Sequence, residues 1–429
     1  MQNVKDFGAV GDGKTSDTKA IQRAIDAGGE VIFPPGIYKS GTLYLRSHGG
    51  LRLETGAILI SGGEEETWNA PDFCPQNRTS EREKNNGRHL IVAYQCEDVS
   101  IRGGIIDGNF TYWLKEINEH NPYFKLEPRN GQLLFFCECR DVRVQDCTLR
   151  NGSYWHCFLH GCERITISGL HIHGDPRVLC NDGIDLDCCR FATVSDCVIE
   201  TGDDAIAIRG NSKALGGTLR PTEHITVTNC VLASDFADGI RLGVGNGVIR
   251  NCQFSHIDIH HSGKGIEITS SYNGETGVDI ENICFDNIFL EVLRPFKICL
   301  AAQLVGSSGV GMDVRSHIRN IDFRHIRGRA ELTSEILGNP VGDISGLRFT
   351  DVRLDYYGKG PAPYLDERNR WCRESTASAF QFRNVRSAVF ERLKINWCAN
   401  QDLWLHEAEM ENSDVKFNEC ELEKGTISK

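Results

Sequence analysis

The chain has 429 residues, a hydrophobic fraction of 40%, a charged fraction of 25% and a formal net charge of −12. This is the composition of a globular protein, and an acidic balance without a long basic run argues against nucleic acid and anionic membranes as partners. No apolar stretch approaches the roughly 20 residues of a membrane span. The first residues, MQNVKDFGAVGDGK, have neither a basic start nor an apolar core. We therefore expect a cytoplasmic location, or a secreted one if the sequence has already been trimmed.

The first predicted element is a short helix in SDTKAIQRAIDAGG, within residues 1–60. Ser16 and Asp17 are N-cap residue types, and Gly28 and Gly29 end the helical pattern. An apolar stripe at helical spacing consists of Ala20, Ile21, Ala24 and Ile25. Such a helix can cover an open sheet end, so residues 1–60 are predicted to form an N-terminal cap and the first coils of a solenoid.

Polar, interrupted sequence follows in residues 61–131, mainly from Glu64 to Arg88 and in TYWLKEINEHNPYFKLEPRNG. Insertions in a repetitive fold usually lie on one face and form the wall of a binding groove. We therefore predict that residues 61–131 are loop insertions near a cleft.

A repeat of two short alternating segments joined by a turn fills much of residues 132–429. Its clearest copies are CRDVRVQDCTLRNG, CERITISGLHIHG, CRFATVSDCVIETG and TEHITVTNCVLAS. Strands at a period of 20 to 35 residues, without helical pattern between them, are typical of a β-solenoid. The sequence predicts an all-β fold, a right-handed parallel β-helix of about ten or more coils, as a single domain over 1–429.

Eight of the 18 cysteines recur at equivalent places of this repeat. One series precedes an alternating segment and a second series follows it: Cys96, Cys139, Cys162 and Cys189, then Cys147, Cys197, Cys230 and Cys252. Free cysteine is among the most buried residue types, which favours ladders of buried thiols over disulfides. The metal-binding spacing CxxC is absent, and we predict neither a metal centre nor a cofactor.

Acidic residues recur in register just before successive strands. The aligned segments are Asp182-Gly183-Ile184-Asp185-Leu186, Asp204-Ala205-Ile206-Ala207-Ile208, Asp238-Gly239-Ile240-Arg241-Leu242 and Lys264-Gly265-Ile266-Glu267-Ile268. The aliphatic positions are predicted to face inward and the residues between them outward. Isolated Asp-Gly pairs are ordinary turns, but a row of Asp182, Asp203, Asp204 and Asp238 brings like charges together.

A cluster of carboxyl groups suits a reaction that needs one acid and one base. Glycoside hydrolysis by inversion is such a reaction, with the two carboxyl groups roughly 6.5 to 9.5 Å apart. Acids on neighbouring coils are expected to meet that separation.

The segments DFGAVGDGKTSDTKAIQRAID, PPGIY, NDGIDLDCC and TGDDAIAIRG together resemble the polygalacturonases and rhamnogalacturonan hydrolases of glycoside hydrolase family 28. The resemblance covers roughly residues 3 to 290 and implies a right-handed parallel β-helix that hydrolyses pectin by inversion. It also implies roles for three residues: Asp203 as the general acid, and Asp182 with Asp204 as the base that activates water.

Two family motifs are altered. Asp238 stands where the family has the histidine of Gly-His-Gly, and Glu267 and Thr269 stand where it has the two cations of Arg-Ile-Lys. Those cations bind the carboxylate of a uronate, so the resemblance leaves the substrate open. Arg209 and Arg241 are predicted to face outward and are candidates for the same role; the alternative is that the sugar bound there is neutral. Because the family's two cations are missing, we expect weak or no activity on polygalacturonate.

Further substrate-binding candidates are Lys264, together with Trp155 and His156 in the coil before Asp182. Trp155 is a residue type that stacks on sugar rings, although packing alone explains it equally well. We predict an exo-acting inverting glycosidase on α-linked, pectin-type or related oligosaccharides. A polysaccharide lyase or epimerase on the same scaffold, and a carbohydrate-binding solenoid without catalysis, remain alternatives, and the oligomeric state is open.

Overall fold

The computed structural model describes residues 1–77, 84–117, 123–216, 219–272, 277–302, 314–358, 364–365, 371–372 and 376–429. The chain comprises two compact units, the first of Met1–Ile206 with Lys213–Thr218 and the second of Ala207–Ser212 with Leu219–Lys429. The single domain expected from the sequence stays a prediction. Parts of the predicted insertions, residues 78–83 and 118–122, lie outside the described residues.

The helices are one α-helix, α1 (Thr18–Asp26), and short 3₁₀ segments at Val4–Phe7, Glu65–Thr67, Phe110–Trp113, Ser212–Leu215 and Gln401–Leu403 within the described ranges. The strands up to residue 131 are β1 (Gln2–Asn3), β2 (Asp12–Ser16), β3 (Glu30–Phe33), β4 (Gly36–Ser40), β5 (Leu43–Tyr44), β6 (Gly49–Leu53), β7 (Ala57–Ser61), β8 (Ile91–Tyr94), β9 (Glu97–Arg102), β10 (Ile105–Asp107), β11 (Leu114–Glu116) and β12 (Lys125–Leu126).

The next strands are β13 (Leu134–Cys137), β14 (Arg140–Gln145), β15 (Thr148–Arg150), β16 (Cys157–His160), β17 (Glu163–Ser168), β18 (His171–His173), β19 (Ile184–Asp187), β20 (Arg190–Ser195), β21 (Val198–Glu200), β22 (Ile206–Gly210), β23 (Thr222–Ala233), β24 (Asp238–Gly245) and β25 (Val248–Tyr272). The last are β26 (Asp279–Ala302), β27 (His317–Ala330), β28 (Ser334–Leu337), β29 (Asp343–Thr350), β30 (Arg353–Tyr356), β31 (Tyr364–Leu365), β32 (Trp371–Cys372), β33 (Ser378–Arg383), β34 (Ala388–Glu391), β35 (Lys394–Trp397), β36 (His406–Glu411), β37 (Val415–Asn418) and β38 (Thr426–Ser428).

The predicted helix is present, with the predicted apolar stripe buried. Its capping differs from the expectation. Asp17 occupies the N-cap position, but its carboxylate accepts hydrogen bonds from the backbone N–H groups of Val10 (2.6 Å) and Gly11 (2.9 Å) instead of from the helix. Asp17 therefore ties an incoming loop to the start of the helix. No helix among the described residues is long and apolar enough to cross a membrane.

Three parallel strands make one coil of the first unit, and equivalent strands of neighbouring coils pair with each other. β13 pairs with β16 and β16 with β19, while β14, β17 and β20 form a second stack. Val144 pairs with Ile167 and Ile167 with Val194, which confirms the register predicted from the repeat. The parallel β-helix follows because each coil places the same apolar positions above those of the coil before it.

A ladder of stacked aromatic rings lies in the core of the second unit. The rings of Phe254, Phe285 and Phe323 stack in succession at centroid distances of 4.8 and 5.1 Å. Phe349 and Phe390 continue the stack at 4.7 and 4.4 Å. Offset contacts of this kind add to the free energy gained by burying the rings.

The two sheets of the first unit differ in what covers their outer faces. β14, β17 and β20 alternate between buried and more exposed residues, as a strand with one solvated face does. Every residue of β13, β16 and β19 is buried. Part of the cover comes from the predicted insertion, because Phe73 and Cys74 pack on this sheet in one cluster with Val92, Phe135 and Phe158.

The cysteine ladders are confirmed in the described chain. All members of both series are free and buried. The backbone N–H of Cys139 donates to the sulfur of Cys162 (3.4 Å), as expected for equivalent residues of neighbouring coils. Burial raises the pKa of Cys147 and of Cys252 to about 12, so these thiols stay protonated at neutral pH.

Candidate functional site

Three carboxyl groups of the first unit come together just before two neighbouring strands. Asp182 precedes β19, and Asp203 and Asp204 precede β22. The backbone N–H of Gly183 donates to the carbonyl oxygen of Asp204 (2.9 Å), which places the two turns on adjacent coils. One oxygen of each of the three carboxylates lies within 4.8 Å of the others. The acid cluster predicted from the sequence is therefore present for Asp182, Asp203 and Asp204.

The spacing and the exposure of these groups refine that prediction. The nearest oxygens of the three carboxylates lie within 4.8 Å of one another, because the turns of adjacent coils bring the side chains together. Asp182 and Asp204 are 2% exposed, whereas Asp203 is partly exposed. The acid that the resemblance assigns to proton donation is thus the one that solvent reaches.

Hydrogen bonds between side chains and the backbone hold the two turns in place. The side-chain amide of Asn181 donates to the carbonyl oxygen of Asp175 (2.8 Å), and its oxygen accepts from the N–H of Gly202 (2.8 Å). A Cβ at Gly202 would lie 2.7 Å from the Cα of Pro176, so only glycine fits there. The hydroxyl of Thr201 donates to the carbonyl oxygen of Asp203 (2.7 Å). This network fixes the loop that presents the Asp-Asp pair.

His156 is buried beside the acid cluster and is hydrogen-bonded to the backbone of Asp182. It is fully buried, and its Nε2 accepts from the N–H of Gly152 (3.2 Å). Its Nδ1 therefore carries the proton and donates to the carbonyl oxygen of Asp182 (2.9 Å). Burial lowers the pKa of His156 to about 4, which keeps the ring neutral. The sequence placed His156 among substrate-binding residues; the structure makes it a residue that positions Asp182.

Trp155 lies on the outer side of the same coil and is partly exposed. Its ring stacks on Tyr154 at 4.9 Å and meets the edge of Phe158 at 5.1 Å. Packing thus accounts for part of its surface, and its contact with a sugar stays a prediction.

The second unit carries a different cluster, in which charges of opposite sign meet. Asp238 pairs in register with Lys264, and Arg241 with Glu267, as the sequence alignment predicted. The ammonium of Lys264 lies 2.6 Å from an oxygen of Asp238 and 3.3 Å from an oxygen of Glu267. Lys297, on the next strand, pairs in register with Glu267 and contacts its carboxylate at 3.3 Å.

The carboxylate of Glu267 is the centre of this cluster. Hydrogen bonds reach it from the hydroxyls of Thr269 (2.6 Å) and Tyr272 (3.1 Å). Burial by itself would raise the pKa of Glu267, but Lys297, Lys264 and Arg241 hold it well below its usual value. Burial likewise opposes the charge of Lys297, and Glu267 nevertheless raises the pKa of that lysine.

Arg241 and Glu267, which were predicted to face outward, are nevertheless buried. They are 8% and 1% exposed, because partners from neighbouring strands cover them. The guanidinium of Arg241 lies over the ring of Tyr272 at 4.7 Å, a cation–π contact. Arg209, the other predicted cation, is partly exposed.

Lys297 is a charged residue that the sequence analysis missed. The signal was available, since Lys264-Gly265-Ile266-Glu267 and Arg294-Pro295-Phe296-Lys297 have the same spacing and pair in that register. Extending the alignment by one coil would have found it.

The chemistry open to the two clusters differs. Three carboxylates this close repel one another, which favours a state with one of them protonated. Such a group can donate one proton and accept another, and it can also hold a divalent cation. The cluster around Glu267 is nearly balanced in charge and suits binding or stability.

The chain matches the pattern of the family described as "Glycosyl hydrolases family 28" over residues 72–370, and that of "Rhamnogalacturonase A/epimerase, pectate lyase-like" over residues 1–43. It is 28% identical to "Probable polygalacturonase" of Vitis vinifera, over 83% of this chain and 74% of the relative.

Among solved structures, an exopolygalacturonase from Thermotoga maritima matches with a TM-score of 0.70 at 20% identity, over 92% of this chain and 91% of that one. A family 28 exopolygalacturonase from Yersinia enterocolitica matches with a TM-score of 0.69 at 19% identity, over 100% of this chain and 77% of that one. These neighbours confirm the right-handed parallel β-helix. Since the family pattern spans more than half of the sequence, the chain belongs to family 28 of the glycosyl hydrolases and is a glycoside hydrolase.

Proposed function

We propose that the protein hydrolyses α-glycosidic bonds of pectin-type or related oligosaccharides by inversion, acting from a chain end. The proposal rests on one observation, the grouping of Asp182, Asp203 and Asp204 within 4.8 Å, in a chain whose relatives include polygalacturonases. Asp203 donates a proton to the leaving oxygen. Asp182 and Asp204 together bind and deprotonate the attacking water.

The short separation is compatible with a water held between two acids. A water that hydrogen-bonds to two oxygens at about 2.8 Å each holds them roughly 4.5 Å apart. Two oxygens within 4.8 Å of each other can share one such water. The usual rule assigns retention, in which a carboxylate attacks the sugar, to whole carboxyl groups about 5 to 5.5 Å apart, and inversion to groups about 6.5 to 9.5 Å apart. The family resemblance and the third carboxylate favour inversion, so the stereochemistry is the point to measure.

Action from a chain end is supported by the insertion. Phe73 and Cys74 cover the outer face of the sheet next to the coil that carries Asp182, within the first unit. A covered face prevents a long polymer from continuing across these coils in that direction. We therefore expect short products, released one after another.

The charge of the cluster around Glu267 bears on the substrate. The ammonium groups of Lys264 and Lys297 are already paired with the carboxylates of Asp238 and Glu267. The resemblance implies two cations, at positions 267 and 269, for a uronate. We propose that a uronate binds more weakly here than a neutral sugar, with polygalacturonate as a poor substrate.

The experiment is a panel of pectic and neutral oligosaccharides with proton NMR at early times. Inversion of an α-bond gives the β-anomer first, and a first product with the α-configuration would contradict the proposed mechanism. An unsaturated product that absorbs in the ultraviolet would identify a lyase. Sugar that binds and survives intact would identify a binding protein.

Chain-end action is measured on the same samples. Reducing ends should appear while the viscosity of a polymeric substrate stays nearly constant. A rapid fall in viscosity would show internal cleavage and would contradict the role given to the insertion.

A further inference from the structure

A second group of potential ligands lies in the first unit, apart from the three acidic residues of the proposed site. The imidazole of His160, the carboxylate of Asp187 and the thiol of Cys188 each offer one atom, and these atoms lie within 4.8 Å of one another. The three residues are 2%, 4% and 0% exposed. The sequence places His160 and Asp187 far apart, and only the pairing of β16 with β19 sets them side by side.

His160 supplies an independent observation. Its Nε2 is buried and has no hydrogen-bond partner among the described residues. It lies 3.9 Å from Oδ2 of Asp187, beyond hydrogen-bonding distance. A buried polar atom without a partner costs free energy, and a metal ion is one group that would satisfy it.

The thiol of Cys188 lies beside this histidine. Cys188 has a φ of 54°, in the left-handed region, at the turn that precedes Cys189. The equivalent turn residue of the preceding coil is Gly161, whose N–H donates to the carbonyl oxygen of Asp187 (2.8 Å). Glycine has no side chain, which leaves the thiol of Cys188 as the only side chain at this turn position in the two coils. The sulfur of Cys188 contacts Oδ1 of Asp187 at 3.4 Å.

We propose that His160, Asp187 and Cys188 bind one zinc ion. Zinc takes nitrogen, sulfur and oxygen ligands at about 2.0 to 2.3 Å in tetrahedral geometry, which places ligand atoms roughly 3.3 to 3.6 Å apart. The thiol of Cys188 lies 3.4 Å from Oδ1 of Asp187, and Nε2 of His160 lies 3.9 Å from Oδ2 of the same carboxylate. Rotation of the Asp187 carboxylate is the main adjustment required.

Charge also favours a dication at this position. Zinc binding displaces the thiol proton of Cys188 to solvent, and the metal then faces a thiolate, a carboxylate and a neutral imidazole. Their two negative charges cancel those of Zn²⁺, which suits a site this deeply buried. The ion would fasten the end of β19 to β16. Because Asp182 lies at the start of the same short segment, the site would steady the loop that carries it. A fourth position remains for water.

The test begins with the whole protein as purified, analysed for metal by mass spectrometry, followed by zinc titration against a chromophoric chelator. We expect one zinc per chain and a higher melting temperature with zinc than after EDTA. Cobalt offers a second readout, since a bond from Co²⁺ to the Cys188 thiolate gives a charge-transfer band in the near ultraviolet. A protein with neither zinc nor measurable zinc affinity overturns the proposal.

Variants identify the ligands. C188S and H160Q should each lower zinc affinity more than about 100-fold, beyond the usual effect of an outer partner, and C188S should abolish the cobalt–sulfur band. C189S is the matched control, because Cys189 is the neighbouring buried cysteine and belongs to the ladder. Equal zinc affinity of C188S and C189S would overturn the assignment. If either variant fails to fold, the metal content and cobalt spectrum of the wild-type protein decide the matter.

Discussion

The two charged clusters of this protein handle buried charge in opposite ways. In the first unit Asp182, Asp203 and Asp204 bring like charges within 4.8 Å. In the second unit Glu267 is enclosed by the ammonium groups of Lys264 and Lys297. Like charges held together cost stability, so their presence indicates a chemical role, whereas opposite charges with satisfied hydrogen bonds can be kept for structure or binding. Substitutions should therefore affect activity in the first cluster and stability in the second.

The largest effect is expected at the acid cluster. Asp203→Asn should lower kcat by roughly 10²- to 10⁴-fold, because an amide of nearly the same volume cannot donate the proton. The melting temperature should stay within a few degrees of the wild type. Asp182→Asn and Asp204→Asn should also lower kcat strongly. Asp196→Asn, at an exposed turn of the same unit, is the control and should keep full activity. If Asp203→Asn kept near wild-type turnover, the assignment of Asp203 as the general acid would be wrong.

Glu267→Gln tests the other side of the comparison. It removes the partner of two lysines in a buried setting and should lower the free energy of unfolding by about 3 to 5 kcal/mol at pH 7. Glu291→Gln is the matched control, since Glu291 forms an exposed pair with Arg329 (3.4 Å) and should change stability by less than about 1 kcal/mol. Chemical denaturation measures both changes. If the two substitutions had equal effects, the buried cluster would contribute no more to the free energy of unfolding than the surface pair does.

The same variant has a pH signature. The pKa of Glu267 is held well below its ordinary value of 4.5, so its contribution is present above pH 4.5 and is lost as pH falls toward the folded-state pKa. Below pH 4.5 the wild type should therefore lose its excess free energy of unfolding over Glu267→Gln. An advantage that stays constant on acidification would argue against a charged Glu267.

His156 should affect the stability of the protein over a higher pH range than Glu267 does. Its pKa falls from 6.5 to about 4 on folding, so the neutral ring favours the folded state above pH 6.5, and that contribution is lost as pH falls to about 4. As pH falls through this interval, the difference in free energy of unfolding between the wild type and His156→Gln should shrink by at most about 3 kcal/mol. Denaturation curves at pH 7, 5.5 and 4 measure the effect. A stability difference that does not change with pH would show that the pKa of His156 is the same in the folded and unfolded states.

The smallest effect concerns the reactivity of the thiols. The ladder cysteines should react slowly with a thiol reagent in the native protein, because they are buried. Cys398 is exposed and should react first. Denaturation should release all 18 thiols. Recovery of fewer than ten would indicate disulfides and contradict the ladders.

Much of the fold could be predicted because a solenoid repeats its pattern along the sequence. The spacing of Val144, Ile167 and Val194 gave the strand register, and the stripe in α1 gave the helix. The acids Asp182, Asp203 and Asp204 could be found for the same reason, since each precedes its strand. Where a feature depends on neighbours in sequence or on the coil period, the pattern is sufficient.

Other features were decided by the tertiary structure. Alternation predicted that Arg241 and Glu267 face outward, but it carries no information about what covers an outer face, and both are buried by partners from adjacent strands. The sequence pattern also did not show that the ring of His156 donates a hydrogen bond to the carbonyl oxygen of Asp182. The meeting of His160 with Asp187 and Cys188 depends on strand pairing and on one left-handed turn. Sequence determined the period and the acids because they are local, and the structure determined burial, charge balance and ligand geometry because these depend on contacts between coils.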